Sequence, residues 1–349
     1  MIYRKIKNDD TPISAIGFGT GFHMPENESG NSLEETIKVS LDNGINFIDT
    51  APVYGNGASE AALGQILKRI GRHNVYLATK VSPNDTTFNG VIKSAELSLK
   101  RLQTDVIDLF QVHWPNPNVP ISETMEAMEK LVLDGKIKQI GVSNFLINET
   151  EDAMLSLQNN SLSTLQVEYN FFERSIEKNV LPFCKKNNVK LIAYSPLAQG
   201  KMVNGSEQLE ILTQLSKKYN CTTGQLVLRW LINNPDVIVI PNTSKPLRAK
   251  QNAEAANLKV TKDDFDLMSQ KFVTPVKNID TKQIENKMNM TPSPVELSEE
   301  MKQGIFLKPI RLKEVNNQQY DLIEGRLRFW AWVIAFGWDK KIPALVWQK

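Results

Sequence analysis

From about residue 14 to 257 the chain alternates short apolar runs with amphipathic stretches about one helix long. The apolar runs are ISAIGFG (13–19), INFID (45–49), VYLATK (75–80), VIDLFQVH (106–113), IKQIGVS (137–143), TLQVEY (164–169), KLIAYS (190–195) and VIVIP (237–241). Between them, segments such as SLEETIKVSLDNG, GVIKSAELSLKRL and ISETMEAMEKLVLDG space their apolar residues by three and four, as a one-sided helix requires. Two of these three close on glycine, a common helix stop. Strands that alternate with helices form parallel sheets with helical crossovers. Eight such units in about 250 residues predict an α/β fold, the (β/α)8 TIM barrel. The turn GFGTG after the first run lacks the Gly-x-Gly-x-x-Gly spacing that cradles a pyrophosphate, which argues against a Rossmann sheet.

In such a barrel the chemistry gathers where strands end and βα loops begin. Those ends carry Asp49 on the second strand, Lys80 on the third and His113 on the fourth. The fifth ends in Ser143-Asn144, the sixth carries Gln166 and Asn170, the seventh ends in Tyr194-Ser195, and the eighth runs into PNTSKPLR. Tyr54 sits in the loop DTAPVYGNGASE that follows Asp49. Parallel barrel strands are apolar along their length because both faces are covered, so ionisable groups at one end of successive strands converge on one mouth.

These groups make a proton donor. A phenol is a poor acid at neutral pH, but an ammonium beside it stabilises the phenolate and a carboxylate holds that ammonium charged. A neutral imidazole can orient a carbonyl oxygen. No nucleophile for acyl transfer accompanies them, and the three histidines (His23, His73, His113) lack metal-ligand spacing. Protonating a developing alkoxide calls for a hydride source, and the chain contains no redox group of its own.

The segments DTAPVYGNGASE, VYLATK and FQVHW (110–114) resemble the aldo-keto reductases, NADPH-using (β/α)8 barrels. GVSNF (141–145), LQVEYN (165–170), AYSPLAQG (193–200) and IPNTSKPLRAKQN (240–252) are similar, in order, to that family's cofactor-binding segments. The likeness spans residues 1 to about 275. It implies that Tyr54 is the general acid, that Lys80 and Asp49 tune it, and that His113 positions the substrate carbonyl. It further implies that Ser143, Asn144 and Gln166 hold the nicotinamide carboxamide, that Tyr194 stacks on the ring, and that Ser195 and Leu197 belong to the same cofactor segment. Lys245 and Arg248 would pair with the adenosine 2′-phosphate, which favours NADP over NAD, and Asn252 matches the adenine contact. Asn242 and Gln251 stand where many members carry lysine and glutamate. Phe22, His23 and Met24, with Val53, Trp114 and Phe145, would line an open substrate mouth suited to an aldehyde, ketone or sugar carbonyl.

Past residue 275 the composition changes. Segment 276–294 is polar, proline-containing and weakly periodic, and reads as a linker. Residues 295–349 hold four of the six tryptophans, too many for a disordered tail, so a small α+β accessory domain is expected. Its order of strand, DLIEG, helix and IPALV resembles a shortened ParB-like (sulfiredoxin-like) fold. Gly325, Arg326 and Arg328 would then form a phosphate-binding turn at a helix start. The aromatic tail also makes a homo-oligomer an expectation. A net charge of +2, with 41% hydrophobic and 23% charged residues, gives no cause to expect nucleic acid. Two cysteines, no leader-like start and no apolar run of membrane length place the protein in the cytoplasm as an expectation. Two rival functions stay open: a non-catalytic NADP(H)-sensing protein, and a phosphate-ligand function carried by the C-terminal domain.

Overall fold

The computed structural model describes every residue except 8, 22–31, 201–209, 272–276, 280–283, 286–294, 303–308, 317–318, 338–339 and 348–349. Two compact units divide the chain, Met1–Lys271 and Phe272–Lys349. The first opens with an antiparallel hairpin, β1 (Tyr3–Ile6) and β2 (Asp9–Ser14), before β3 (Phe18–Gly19). The run ISAIGFG is thus shared between a hairpin strand and the first barrel strand, a break that a continuous apolar run conceals.

Strand and helix then alternate: α1 (Ser32–Asp42), β4 (Phe47–Asp49), α2 (Ala58–Ile70), β5 (Tyr76–Val81), α3 (Phe88–Leu102), β6 (Ile107–Val112), α4 (Ile121–Leu133) and β7 (Ile137–Ser143). The series continues with α5 (Ile147–Ser156), β8 (Leu162–Glu168), α6 (Val180–Asn187), β9 (Lys190–Tyr194), α7 (Glu210–Lys218), α8 (Thr223–Leu231), β10 (Val237–Val239), α9 (Pro246–Glu254) and α10 (Lys262–Lys271). Strands β3 to β10 pair in parallel and in chain order. Ile16 bridges Val239, and the Gly17 and Val239 amides donate to the Val239 and Ala15 carbonyls at 2.7 and 2.9 Å. Those bonds close the sheet into the expected TIM barrel.

Both faces of the central strands are covered, so β5 and β6 are buried along their whole length. A buried polar group there must find partners. Asp108 on β6 accepts from Arg72, Lys138 and the Leu77 amide at 2.6, 2.7 and 2.8 Å, tying β5, β6 and β7 together at their starts. Ile6 and Ile13 of the hairpin join Phe47, Tyr76, Leu109, Ile192 and Ile238 in one apolar cluster. The Tyr76 hydroxyl donates to Asp9 at 2.9 Å, so the hairpin plugs the bottom of the barrel.

In the second unit β11 (Lys277–Ile279), β12 (Ile284–Glu285), β13 (Ile310–Asn316), β14 (Gln319–Glu324) and β15 (Ile342–Trp347) form a sheet of order β11-β15-β13-β14-β12. Helices α11 (Val295–Lys302) and α12 (Arg326–Phe336) complete it. Phe329 and Val333 of α12 pack with Ile310, Leu312, Ile342 and Ala344 of the sheet, with Trp330 and Trp332 against that cluster. Segment 276–294, expected as a linker, contributes β11 and β12, because short strands of two or three residues leave no periodicity to read.

Helix α2 meets α3 at Gly64, where an added Cβ would lie 2.3 Å from the Arg101 carbonyl oxygen and 2.7 Å from the Leu102 carbonyl carbon. Backbone atoms cannot step aside as a side-chain tip can. Gly64→Ala should therefore lower the unfolding free energy by about 1–3 kcal/mol. Urea denaturation measures it, and an unchanged midpoint would show that the two helices separate freely.

Candidate active site

The loop after β4 explains how Tyr54 reaches the mouth. Gly55, Asn56 and Gly57 adopt φ of +60°, +52° and +88°, three left-handed residues in a row that reverse the chain before α2 begins. Glycine takes such angles without a Cβ clash, and asparagine tolerates them. Gly21 clears space on the other side, since a Cβ there would sit 3.2 Å from the phenol ring. Ser59 then fastens the loop, its hydroxyl lying 2.9 Å from Thr20 Oγ1 and 3.1 Å from Thr50 Oγ1.

Lys80 is fully buried, and a buried ammonium is costly unless paired. Its Nζ donates to Asp49 Oδ1 at 2.5 Å and to the Thr50 carbonyl at 2.9 Å. It stands 5.4 Å from the centre of the Tyr54 ring. Burial works against the ammonium, but Asp49 and then Tyr54 outweigh it, so its pKa is raised and the charge is kept. For Tyr54 the balance differs from the expectation. Burial raises its pKa above the ordinary value for a phenol, and the opposing pull of Lys80 does not overcome it. The phenol therefore stays protonated, the state that a proton donor requires.

His113 follows β6 and completes the group. Its ring meets Tyr54 edge-on at 5.9 Å between centroids and stacks on Trp114 at 3.9 Å. Burial, aided by the Lys80 charge, lowers its pKa to about 2, so the imidazole is neutral at physiological pH. Among the described residues its Nδ1 has no hydrogen-bond partner.

The expected carboxamide contacts lie beside this group. Asn144, at φ +62°, donates from Nδ2 to the His113 carbonyl at 3.0 Å and to Ser143 Oγ at 3.1 Å, and accepts from the Tyr194 hydroxyl at 3.0 Å. Ser143 is buried and pairs in register with Gln166, whose Nε2 donates to Asp49 Oδ2 at 3.0 Å. Ser195 takes a left-handed φ of +49°, and Leu197 is half-buried. Lys245 and Arg248 are both exposed, flanking the start of α9, whose first helical residue is Pro246; Asn252 is buried further along the same helix. Asn242, unexpected at its position, donates to the Gly21 carbonyl and ties the end of the barrel's last strand to the first loop.

Val53 and Trp114 are 46% and 44% exposed, as a mouth requires. Phe145, expected beside them, is 4% exposed. Phe22 lies outside the described residues. One residue escaped the sequence reading: Gln111, buried on β6 two positions before His113 and hence on the same face of the strand, donates to Asp49 Oδ2 at 3.1 Å. A polar residue inside an apolar run was the signal that could have found it.

In the second unit Gly325 caps α12 at φ +99°, and Arg328 donates to the Pro309 carbonyl at 3.2 Å. The Arg326 side chain lies outside the described residues. Among the described residues there is no group of three His, Cys, Asp or Glu able to hold a metal, and no helix long and apolar enough to cross a membrane.

Comparison with known proteins places the chain in a family. The Aldo/keto reductase family model matches residues 15–272. Aldo-keto reductase YhdN of Bacillus subtilis (strain 168) is 35% identical over a 305-residue alignment that covers 76% of this chain and 91% of that protein. The glyoxal reductase of the same organism is 34% identical, over 71% of this chain and 86% of its own. The crystal structure of an aldo-keto reductase from Klebsiella pneumoniae in complex with NADPH superimposes with a TM-score of 0.71 at 30% identity, covering 83% of this chain and 100% of that one. The chain belongs to the aldo/keto reductase family and is an NAD(P)-dependent oxidoreductase.

The neutral His113 leaves a stability signature. An unfolded histidine binds a proton below about pH 6.5, whereas the folded one does not, so the unfolded state gains protons as pH falls. Stability should be unaffected by this group above about pH 6.5 and drop by about 1.4 kcal/mol per unit below it. Comparing wild type with His113→Asn by denaturant unfolding between pH 5 and 7 isolates that slope, on the order of 2 kcal/mol over the range. Equal slopes in the two proteins would mean that His113 is protonated in the folded state.

Proposed function

We propose that the protein reduces the carbonyl group of a small aldehyde, ketone or sugar to an alcohol, with NADPH as the preferred cofactor and Tyr54 as general acid. The buried Asp49–Lys80 pair against a protonated Tyr54 carries this reading. When bound, the reduced nicotinamide supplies the hydride. The chain's own part is to aim a proton at the oxygen that becomes an alkoxide. The Tyr54 hydroxyl gives up that proton, Lys80 stabilises the phenolate left behind, and Asp49 holds Lys80 in place. The neutral His113 imidazole has one N–H, which can hold the carbonyl oxygen in line with Tyr54.

The cofactor reading rests on residues gathered at two places. Ser143, Asn144, Gln166 and Tyr194 lie at the mouth and offer the amide and hydroxyl groups that a carboxamide needs. Lys245 and Arg248 supply unburied positive charge at the start of α9, and Asn252 lies on the same helix. Cations there suit a 2′-phosphate, which NAD lacks. Because the relatives include a glyoxal reductase, small dicarbonyls are the first substrates to try. The barrel as residues 1–275 and the second unit as a shortened ParB-like accessory domain, through which the chain self-associates, remain part of this proposal. Gly325 at the start of α12 supports it, while Arg328 has the Pro309 carbonyl as a partner.

Tyr54→Phe should bind NADPH within about threefold of wild type yet lose about 10²–10⁴ in turnover with any accepted aldehyde. Full turnover by the variant would remove Tyr54 from the chemistry, and NADPH bound by neither protein would remove the cofactor. Arg248→Ala should weaken NADPH binding by roughly tenfold or more and leave NADH binding alone, as loss of a charge-assisted phosphate contact does. Equal losses for both cofactors, in fluorescence titrations, would place the 2′-phosphate elsewhere.

A further inference from the structure

Asp49 has a second oxygen, and the groups that hold it are neither Lys80 nor Tyr54. Oδ1 takes Lys80, while Oδ2 accepts two amide N–H groups, Gln111 Nε2 at 3.1 Å and Gln166 Nε2 at 3.0 Å. Gln166 Nε2 also lies 3.4 Å from Gln111 Oε1, so the two amides brace each other. All four side chains are buried. Register places Gln111 directly beside Lys80 on the neighbouring strand.

We propose that Gln111 is a positioning residue of the proton-delivery site, which with Gln166 pins the Asp49 carboxylate so that its other oxygen stays on Lys80. The proposal rests on the reading of Tyr54 as proton donor. A carboxylate accepting at one oxygen only can swing about its terminal torsion, which is broad and soft. Two donors on Oδ2 fix that torsion and spread the carboxylate's charge. Without them Asp49 draws Lys80 more strongly to itself and away from the phenol. Gln166 ties the same brace to the expected nicotinamide contacts through its register with Ser143.

The groups around position 111 make a diagnostic substitution available. Asp49 comes from β4, Lys80 from β5, Gln166 from β8 and Tyr54 from the loop after β4, while β7 places Gly141 in register with Gln111, where an added Cβ would lie 2.9 Å from Gln111 Cγ. His113, just after the same strand, is neutral. Gln111→Met keeps the size and removes the donor. In Gln111→Glu the new carboxyl faces Asp49, and two carboxyls sharing a site share a proton. Protonated, it donates to Asp49 as the amide did; ionised, it repels Asp49 and competes for Lys80.

The test measures NADPH-dependent aldehyde reduction, NADPH affinity and the Tyr54 phenolate titration, the last as the ultraviolet difference from a Tyr54→Phe background at each position. Gln111→Met should lose roughly tenfold in turnover at constant NADPH affinity, with the Tyr54 titration moved upward by about half a unit to one unit. Gln111→Glu should recover turnover toward wild type as pH falls and lose it as pH rises, a reversal that a packing role does not produce. Wild-type titration and turnover in both variants would overturn the proposal. So would losses that are equal at every pH and that accompany a lowered melting temperature. If Tyr54→Phe alone keeps full turnover, the reading of Tyr54 fails and this one with it; if Tyr54→Phe is inactive while position 111 is indifferent, only this one fails.

Discussion

A lysine ammonium with no solvent exposure, held by one carboxylate inside a barrel of apolar strands, is the constraint around which the site is arranged. Taking two charges out of water costs several kcal/mol per ion, and removal of either partner leaves the other uncompensated. The pair is therefore secured from several sides. The Thr50 carbonyl takes a second Lys80 proton, two glutamine amides cover the far oxygen of Asp49, and the Tyr54 phenol faces the ammonium. A site built so tightly can hold a proton donor in one orientation, which loosely tethered groups at a loop cannot do.

Rigidity at the pair demands unusual backbone nearby. Three successive left-handed residues turn the Tyr54 loop, and Asn144 and Ser195 take left-handed angles where the fifth and seventh barrel strands end. Each lies at the mouth and none within the strands. Glu60, at the end of that loop, is buried and bound by Thr79 and Arg101 at 2.6 Å each, so the helix that follows Tyr54 is fastened to the residue next to Lys80. Backbone strain and buried charge thus occur together, where a defined geometry is most useful.

The barrel was legible because parallel strands covered on both faces must be continuous apolar runs, and eight of them stand out. Asp49, Lys80 and His113 were legible for the same reason, as ionisable ends to apolar runs. Gln111 was hidden because an amide inside FQVHW looks like one polar interruption, and only the closed barrel sets it against Asp49. Phe145 is 4% exposed, a burial that its place after a strand end does not encode. The net direction of the Tyr54 shift depended on how deeply the phenol is buried, which spacing along a chain does not encode. In the second unit β11 and β12 have no pattern of their own and are defined only by their partners β15 and β14.

The measurement that bears most directly on this account is NADPH-dependent aldehyde reduction by Lys80→Met, followed alongside NADPH affinity. If the buried pair sets up proton delivery, turnover should fall by about 10²–10⁴ while the cofactor still binds. Turnover near that of the wild type would show that the ammonium has no part in the chemistry, and the site would need a different proton donor.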